Sequence, residues 1–274
     1  MNFKNLFYIT VLFFVAQSCS VNGEKSESRI YKHSHNDYEH EHPLFDALNQ
    51  NFRSIEADVY SIDDSLFVAH DFNKIKPGRT LRRLYLEPLK NQIEINGGSV
   101  YGDDEEIILF IDIKDNGLET YKLLCEILQE YKKDLSVIEE GVKTIGAIQV
   151  VVSGNRPLEY MKQQTTRLAG IDGRLKDLES DMSPQLMPVL SDNWTNYFSW
   201  NGIGEMPELE KELLHSLVEK AHLKGYYIRF WATPNQTPEQ QQAVWTELIN
   251  AKVDLIGTDN LQELNQFLMK LEKN

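Results

Sequence analysis

The sequence predicts an α/β chain folded as a single-domain TIM (β/α)8 barrel, on three observations. Eight short β-branched or apolar runs recur at residues 29–33, 54–60, 107–113, 147–153, 167–171, 186–190, 226–231 and 253–258. Amphipathic stretches alternate with them, clearest at 118–131, 207–224, 238–250 and 261–271, each bounded by Gly, Pro, Asn or Asp. No glycine-rich phosphate loop follows the first run, which removes the main support for an open doubly wound sheet. Eight strands in this length is barrel size. The 274 residues are 41% hydrophobic and 26% charged, with 15 Gly and 9 Pro, a globular composition. Lys and Arg number 28 against 42 Asp and Glu, a net charge of −14, so the clustered cationic excess of a nucleic-acid binder is missing.

The elements follow in chain order. Lys4 precedes an apolar run at 6–16 that is shorter than the about 20 residues a membrane-spanning helix needs, so residues 1–18 read as a cleaved signal peptide. Ala16-Gln17-Ser18-Cys19 resembles a bacterial lipobox, with Cys19 as the lipidated residue and 19–28 as a flexible tether. The expectation is an exported lipoprotein of the bacterial cell envelope, held at the membrane surface by its lipid. Simple cleavage after Ser18 would instead give a secreted or periplasmic protein. Cys125, in an apolar helical pattern, is expected in the core. The barrel then occupies 29–274. The insertion at 61–106 is long for a strand-to-helix connection and contains a short run at 66–69 ending in His70-Asp71, and loops of that length tend to be functional.

Charged residues at strand ends carry the candidate chemistry. The period of two in the second run puts Glu56 and Asp58 on one face and Ile55, Ala57 and Val59 on the other. In a barrel the charged face points inward. The third run repeats the device with Asp112 and Lys114. Glu56, Asp58 and Asp112 make an all-oxygen set suited to one hard divalent cation, Ca²⁺ or Mg²⁺, and Lys114 is left for an anionic group. Among the early histidines, His35 and His70 are the candidates for proton transfer in both directions near neutral pH. His40 and His42 read as solvated loop, and His215 and His222 as surface helix.

These residues resemble a known family. His33-Ser34-His35-Asn36-Asp37-Tyr38, Glu56-Ala57-Asp58-Val59, Val68-Ala69-His70-Asp71, Asp112-Ile113-Lys114, Ser153-Gly154-Asn155, Arg229-Phe230-Trp231 and Thr258-Asp259, in that order, are similar to the phospholipase-C-like phosphodiesterase superfamily. Its members include glycerophosphodiester phosphodiesterases and phosphatidylinositol-specific phospholipase C, and the nearest type is "altered inheritance of mitochondria protein 6". The resemblance implies a TIM barrel in which His35 and His70 act as general base and acid. It also implies one divalent metal on Glu56, Asp58 and Asp112, and a small-molecule or lipid phosphodiester cleaved through a cyclic phosphate. Where glycerophosphodiesterases carry His-Arg-Gly, this chain has His35-Asn36-Asp37, so the arginine beside the phosphate is missing. Arg156 and Arg229 are the candidates to replace it, with Asn36 and Trp231 as further substrate contacts.

Two other readings remain open at this point. A His33-x-His35 start after the first strand, with Asp259 after the last, also suits a zinc amidohydrolase-like site, but 167–173 and 186–192 lack the further histidines it needs. A catalytically silent barrel could bind a phosphorylated lipid or glycan on Trp194, Tyr197, Phe198, Trp200 and Trp231.

Overall fold

The computed structural model describes residues 30–271. The proposed signal peptide, Cys19 and the tether lie outside the described residues. Eight parallel strands close on themselves: β1 (Tyr31–Ser34), β2 (Ser54–Ile62), β3 (Ile107–Ile113), β4 (Ile148–Gly154), β5 (Ala169–Gly173), β6 (Val189–Asn193), β7 (Tyr227–Trp231) and β8 (Leu255–Thr258). Each pairs with the next in chain order, and β1 pairs with both β8 and β2, so no edge is left open. The helices are α1 (Phe45–Leu48), α2 (Glu87–Ile95), α3 (Gly117–Gln129), α4 (Leu158–Gln163), α5 (Glu208–Leu223), α6 (Pro238–Asn250) and α7 (Leu261–Leu271). This is the expected single-domain (β/α)8 barrel. Among the described residues, no helix is long and apolar enough to cross a membrane.

Strand alternation sorts side chains into two cores. Ile55, Ala57 and Val59 of β2, Leu109, Ile111 and Ile113 of β3, and Val150 and Val152 of β4 face outward and join the main core with helix residues such as Leu124, Leu128, Val244, Trp245 and Leu264. The inward positions begin with a small apolar cluster, Ile108, Phe110, Val151, Val189 and Leu255, capped by Tyr31 and Tyr227. Two residues further along the same strands the lumen turns polar: Asp112 follows Phe110, Ser153 follows Val151, and Ser191 follows Val189. That transition defines the floor and the mouth of the barrel, and barrels of this class place their chemistry at the carboxyl ends of the strands.

Beyond shifts of one or two residues at strand ends, such as Ala169–Gly173 for the run at 167–171, sequence and structure differ in three places. The sixth strand is Val189–Asn193, not 186–190, because Leu186 and Met187 turn back onto the Ser183 carbonyl and Pro188 has no N–H to donate. Its polar end persists as strand because Ser191 and Asp192 find partners in the mouth. The 61–106 insertion is ordered: β2 runs on through a tight turn, with Asp63 at φ 50, into an antiparallel strand, Ser65–Val68. One π-helical turn, Arg82–Leu86, then leads into α2. Third, a small antiparallel sheet of Val137–Glu139, Val142–Thr144 and Thr166–Arg167, with no counterpart in the periodic pattern, braces the connections around β4. Cys125 is partly buried against the core.

Candidate active site

Glu56, Asp58 and Asp112 converge as the alternation requires, each offering an oxygen within 4.8 Å of the others. Each spends its second oxygen on the protein. Glu56 Oε2 takes Arg229 Nη2 at 2.9 Å and His33 Nε2 at 3.1 Å. Asp58 Oδ2 takes Lys114 Nζ at 2.9 Å and the Tyr38 hydroxyl at 2.7 Å, and Asp112 Oδ2 takes Lys114 Nζ at 3.3 Å. Asp58 Oδ1 and Asp112 Oδ1 are buried with no partner, an arrangement that costs free energy in a metal-free site and that a cation would satisfy. The donor set is hard and all-oxygen, so these residues fit a divalent cation of the Ca²⁺ or Mg²⁺ kind.

Electrostatics report the same crowding. Burial, reinforced by Asp58 and Glu56 and only partly offset by Lys114, raises the Asp112 carboxyl to about 6. Burial and Glu56 likewise raise Asp58. Glu56 goes the other way: burial pushes it up, but Arg229 and the His33 hydrogen bond outweigh that and hold it well below the usual carboxylate range. His33 is fully buried and lowered to about 3, first by burial and then by Arg229, so its neutral ring bridges Ser54 Oγ, 2.7 Å away, and Glu56. Gly154 makes the room that Asp112 occupies: its φ is 65°, and a Cβ there would stand 2.0 Å from Asp112 Oδ1.

The two candidate histidines flank the carboxylates. His35 follows β1, and its Nδ1 lies 2.7 Å from Asp259 Oδ1, just beyond β8, while Nε2 lies 3.8 Å from Glu56 Oε1. Burial lowers the His35 pKa, but the Asp259 bond and the Glu56 charge prevail and raise it above the ordinary imidazole value. His70 is delivered by the hairpin strand of the insertion, its Nδ1 3.3 Å from Asp58 Oδ2 and 3.2 Å from the Tyr38 hydroxyl. Tyr38 also lies 2.6 Å from Asn36 Oδ1, and Asn36, at φ 49°, sets its amide 3.1 Å from His35 Nδ1.

Lys114 and Asn36 therefore join the expected cluster, Arg229 and Trp231 border it, and Arg156 stands apart from it. Arg229 is buried and ion-paired with Glu56, and it lines the cavity beside His35. Trp231 is 37% exposed and lines a cavity of about 100 Å³ with His35, Thr233, Asn235 and Asp259. Trp194, Phe198 and Trp200 are buried, the first two packed against Phe230, so they are core and not an exposed platform. Arg156 lies across the mouth, beyond the end of β4. The periodic reading gave no role to His33, Tyr38, Asp172 or Arg174. Tyr38 had a signal in its place within His-Asn-Asp-Tyr, whereas Arg174 had none.

A closed barrel with two histidines and a carboxylate triad that could hold a cation at its carboxyl rim has the architecture of a barrel enzyme. More particularly, the chain belongs to the AIM6-like phosphodiesterase domain family, whose model matches residues 25–171 and so spans β1 to β4 and the start of β5. That makes it a phosphodiesterase-type enzyme at the level of the family. It is 27% identical over 258 residues to an altered inheritance of mitochondria protein 6 homolog of Arthroderma benhamiae, covering 84% of this chain and 81% of that protein. It is 27% identical over 267 residues to altered inheritance of mitochondria protein 6 of Eremothecium gossypii (86% and 68% covered). The Saccharomyces cerevisiae protein of the same name is 28% identical over 275 residues (84% and 68%). These relatives are fungal, hence eukaryotic, and are named for mitochondrial inheritance, which corrects the expectation of an exported bacterial envelope lipoprotein. A basic residue, an apolar run and a cysteine make a short pattern that many N-termini satisfy without being processed in that way.

Proposed function

We propose that this chain is a metal-dependent phosphodiesterase that cleaves a glycerophosphodiester- or phospholipid-like P–O bond by histidine acid–base catalysis. The observation that carries the reading is the division of labour within the triad: one oxygen of each carboxylate is held by protein donors while Glu56 Oε1, Asp58 Oδ1 and Asp112 Oδ1 remain for a cation, between two imidazoles. A bound Ca²⁺ or Mg²⁺ would supply charge stabilisation at the phosphoryl oxygens and ease ionisation of the attacking hydroxyl.

The chain's own groups supply the rest. Asp259 engages His35 Nδ1, which fixes the ring and leaves Nε2 as the basic atom facing the triad. His35 Nε2 takes the proton of a neighbouring substrate hydroxyl as that oxygen attacks phosphorus. His70, anchored through Nδ1 by Asp58 and Tyr38, presents Nε2 and gives its proton to the departing oxygen. The product is a cyclic phosphate. Lys114, its side chain 25% exposed and its Nζ between Asp58 and Asp112, steadies a non-bridging oxygen. Asn36 and Trp231 border the substrate's path on the β1 and β7 side.

Product mass on a panel of glycero- and lysophosphodiesters tests this. A product 18 Da lighter than the hydrolysed phosphomonoester, formed by the wild type and lost in His35→Ala, is expected. Turnover that yields only the hydrolysed monoester, or that persists in His35→Ala, contradicts the mechanism.

A further inference from the structure

The mouth has a second charged region, on β4 to β6, which borders the triad: Asp112 acts on Arg156 through its charge, but no side-chain hydrogen bond or ion pair joins this region to the triad or the histidines among the described residues. Asp172, fully buried, takes three donors on one oxygen: Ser153 Oγ at 2.7 Å, Ser191 Oγ at 2.6 Å and Arg174 Nη1 at 2.8 Å. Arg174 uses Nη1 for all its side-chain bonds, the others going to the Gly173 carbonyl at 2.8 Å, the Asp172 carbonyl at 3.4 Å and Ser191 Oγ at 3.5 Å. No hydrogen bond within the described residues uses its other guanidinium nitrogens, and its side chain is 21% exposed.

Arg156 stands two residues past the end of β4, the strand next to β5. Its guanidinium makes one hydrogen bond, to the Gly154 carbonyl at 3.2 Å, and its Nε is buried without a partner. No carboxylate lies within ion-pair distance of it among the described residues. Burial and then the neighbouring Arg174 charge pull its pKa below the ordinary arginine value, so the two cations sense each other. The local acids are committed: Asp177 caps the Arg174 backbone N–H, and Asp192 receives Leu175 N, Asn196 and Tyr197. Asp172 pairs at contact with Arg174 alone, and Asp172, Asp177 and Asp112 reach Arg156 only through their charge; a half-buried guanidinium with no carboxylate in contact is costly unless an anion completes it.

We propose that Arg156 and Arg174 form a second anion subsite that binds a further oxyanion, a phosphomonoester or carboxylate, on the head group of the substrate. The proposal rests on the phosphodiesterase reading, since it assigns this pair to a group other than the scissile phosphate. The scissile phosphate has Lys114 and the triad beside it. The guanidinia lie one and two strands further round the rim, each step about 4.8 Å, a separation a short head group spans. Guanidinium is also the side chain suited to bidentate recognition of carboxylate and phosphate.

The test compares glycerophosphoglycerol with glycerophosphoglycerol phosphate, which differ by one phosphomonoester, in the wild type, Arg156→Gln and Arg156→Lys. The wild type should favour the phosphorylated diester in kcat/KM. Arg156→Gln should reduce that preference by roughly 10- to 100-fold, with Arg156→Lys between the two. An equal loss on both diesters would assign Arg156 to the scissile phosphate and overturn the proposal, as would an unchanged ratio. A second arm needs no turnover: calorimetry of inorganic phosphate on chelator-treated protein, where the bare triad repels anions. Millimolar or tighter binding, weakened about tenfold in Arg156→Gln, is expected, and absence of binding overturns the subsite. If neither diester is cleaved, the phosphodiesterase reading fails while this arm still decides the subsite.

Discussion

The floor and the mouth of the barrel lumen are built from the same strands, two residues apart, and do opposite work. On β3 the step is from Phe110 to Asp112, on β4 from Val151 to Ser153, and on β6 from Val189 to Ser191. Below the step Ile108, Phe110, Val151, Val189 and Leu255 are apolar and satisfied by packing on one another. Above it lie buried carboxylates with unpartnered oxygens, a neutral buried histidine and a guanidinium without an ion pair. The floor lowers the free energy of the fold, and the mouth stores strain that a ligand would relieve. One rung of the ladder separates stability from chemistry, so substitutions on either side of it should fall into distinct classes.

The largest effects should come from the mouth and appear in turnover alone. His35→Ala and His70→Ala should each lower kcat by about 10² to 10⁴ with the melting temperature little changed; near-normal rates in both would remove the acid–base assignment. Phe110→Ala, one step below Asp112, should instead cost about 3–5 kcal/mol in denaturant unfolding, and a loss under 1 kcal/mol would mean that the floor is not the packed layer described. Gly154→Ala lies on the boundary. Its methyl would displace Asp112 Oδ1, so cation affinity by calorimetry should fall by roughly 10- to 100-fold, more than the stability change would suggest.

The smallest effect concerns pH. Asp112 is raised from 3.8 to about 6 in the metal-free site. A carboxyl with a raised folded pKa contributes stability that is present below its unfolded value and lost as pH rises through the folded one. Chelator-treated protein should therefore lose stability between about pH 4 and pH 6, by on the order of 1–3 kcal/mol, and Asp112→Asn should flatten that slope. A variant whose pH profile overlays the wild type would contradict the crowding of charge at Asp112.

Much of the fold was legible because barrel strands carry strong local patterns. The run at 107–113 and the helices at 238–250 and 261–271 match the structure residue for residue. The sixth strand was misplaced because its apolar part is brief and its inward Ser191 and the Asp192-Asn193 pair after it read as a turn until the mouth supplies their partners. Glu56, Asp58 and Asp112 were legible from a period of two. The roles of His33 and Arg229 were not, because nothing along the chain tells which charged side chain is used up inside: Arg229 looked available and is engaged with Glu56. The sequence assigns no role to Asp172 or Arg174, and their relation to Arg156 exists only once β4 and β5 are paired.

The most direct test of the account is turnover of chelator-treated protein titrated with Ca²⁺, Mg²⁺ or Zn²⁺, in the wild type and in Glu56→Gln. The account predicts that Ca²⁺ or Mg²⁺ restores activity in the wild type and that Glu56→Gln shifts the titration to higher cation concentration. Activity that survives chelation, that returns only with Zn²⁺, or that titrates identically in Glu56→Gln would contradict it.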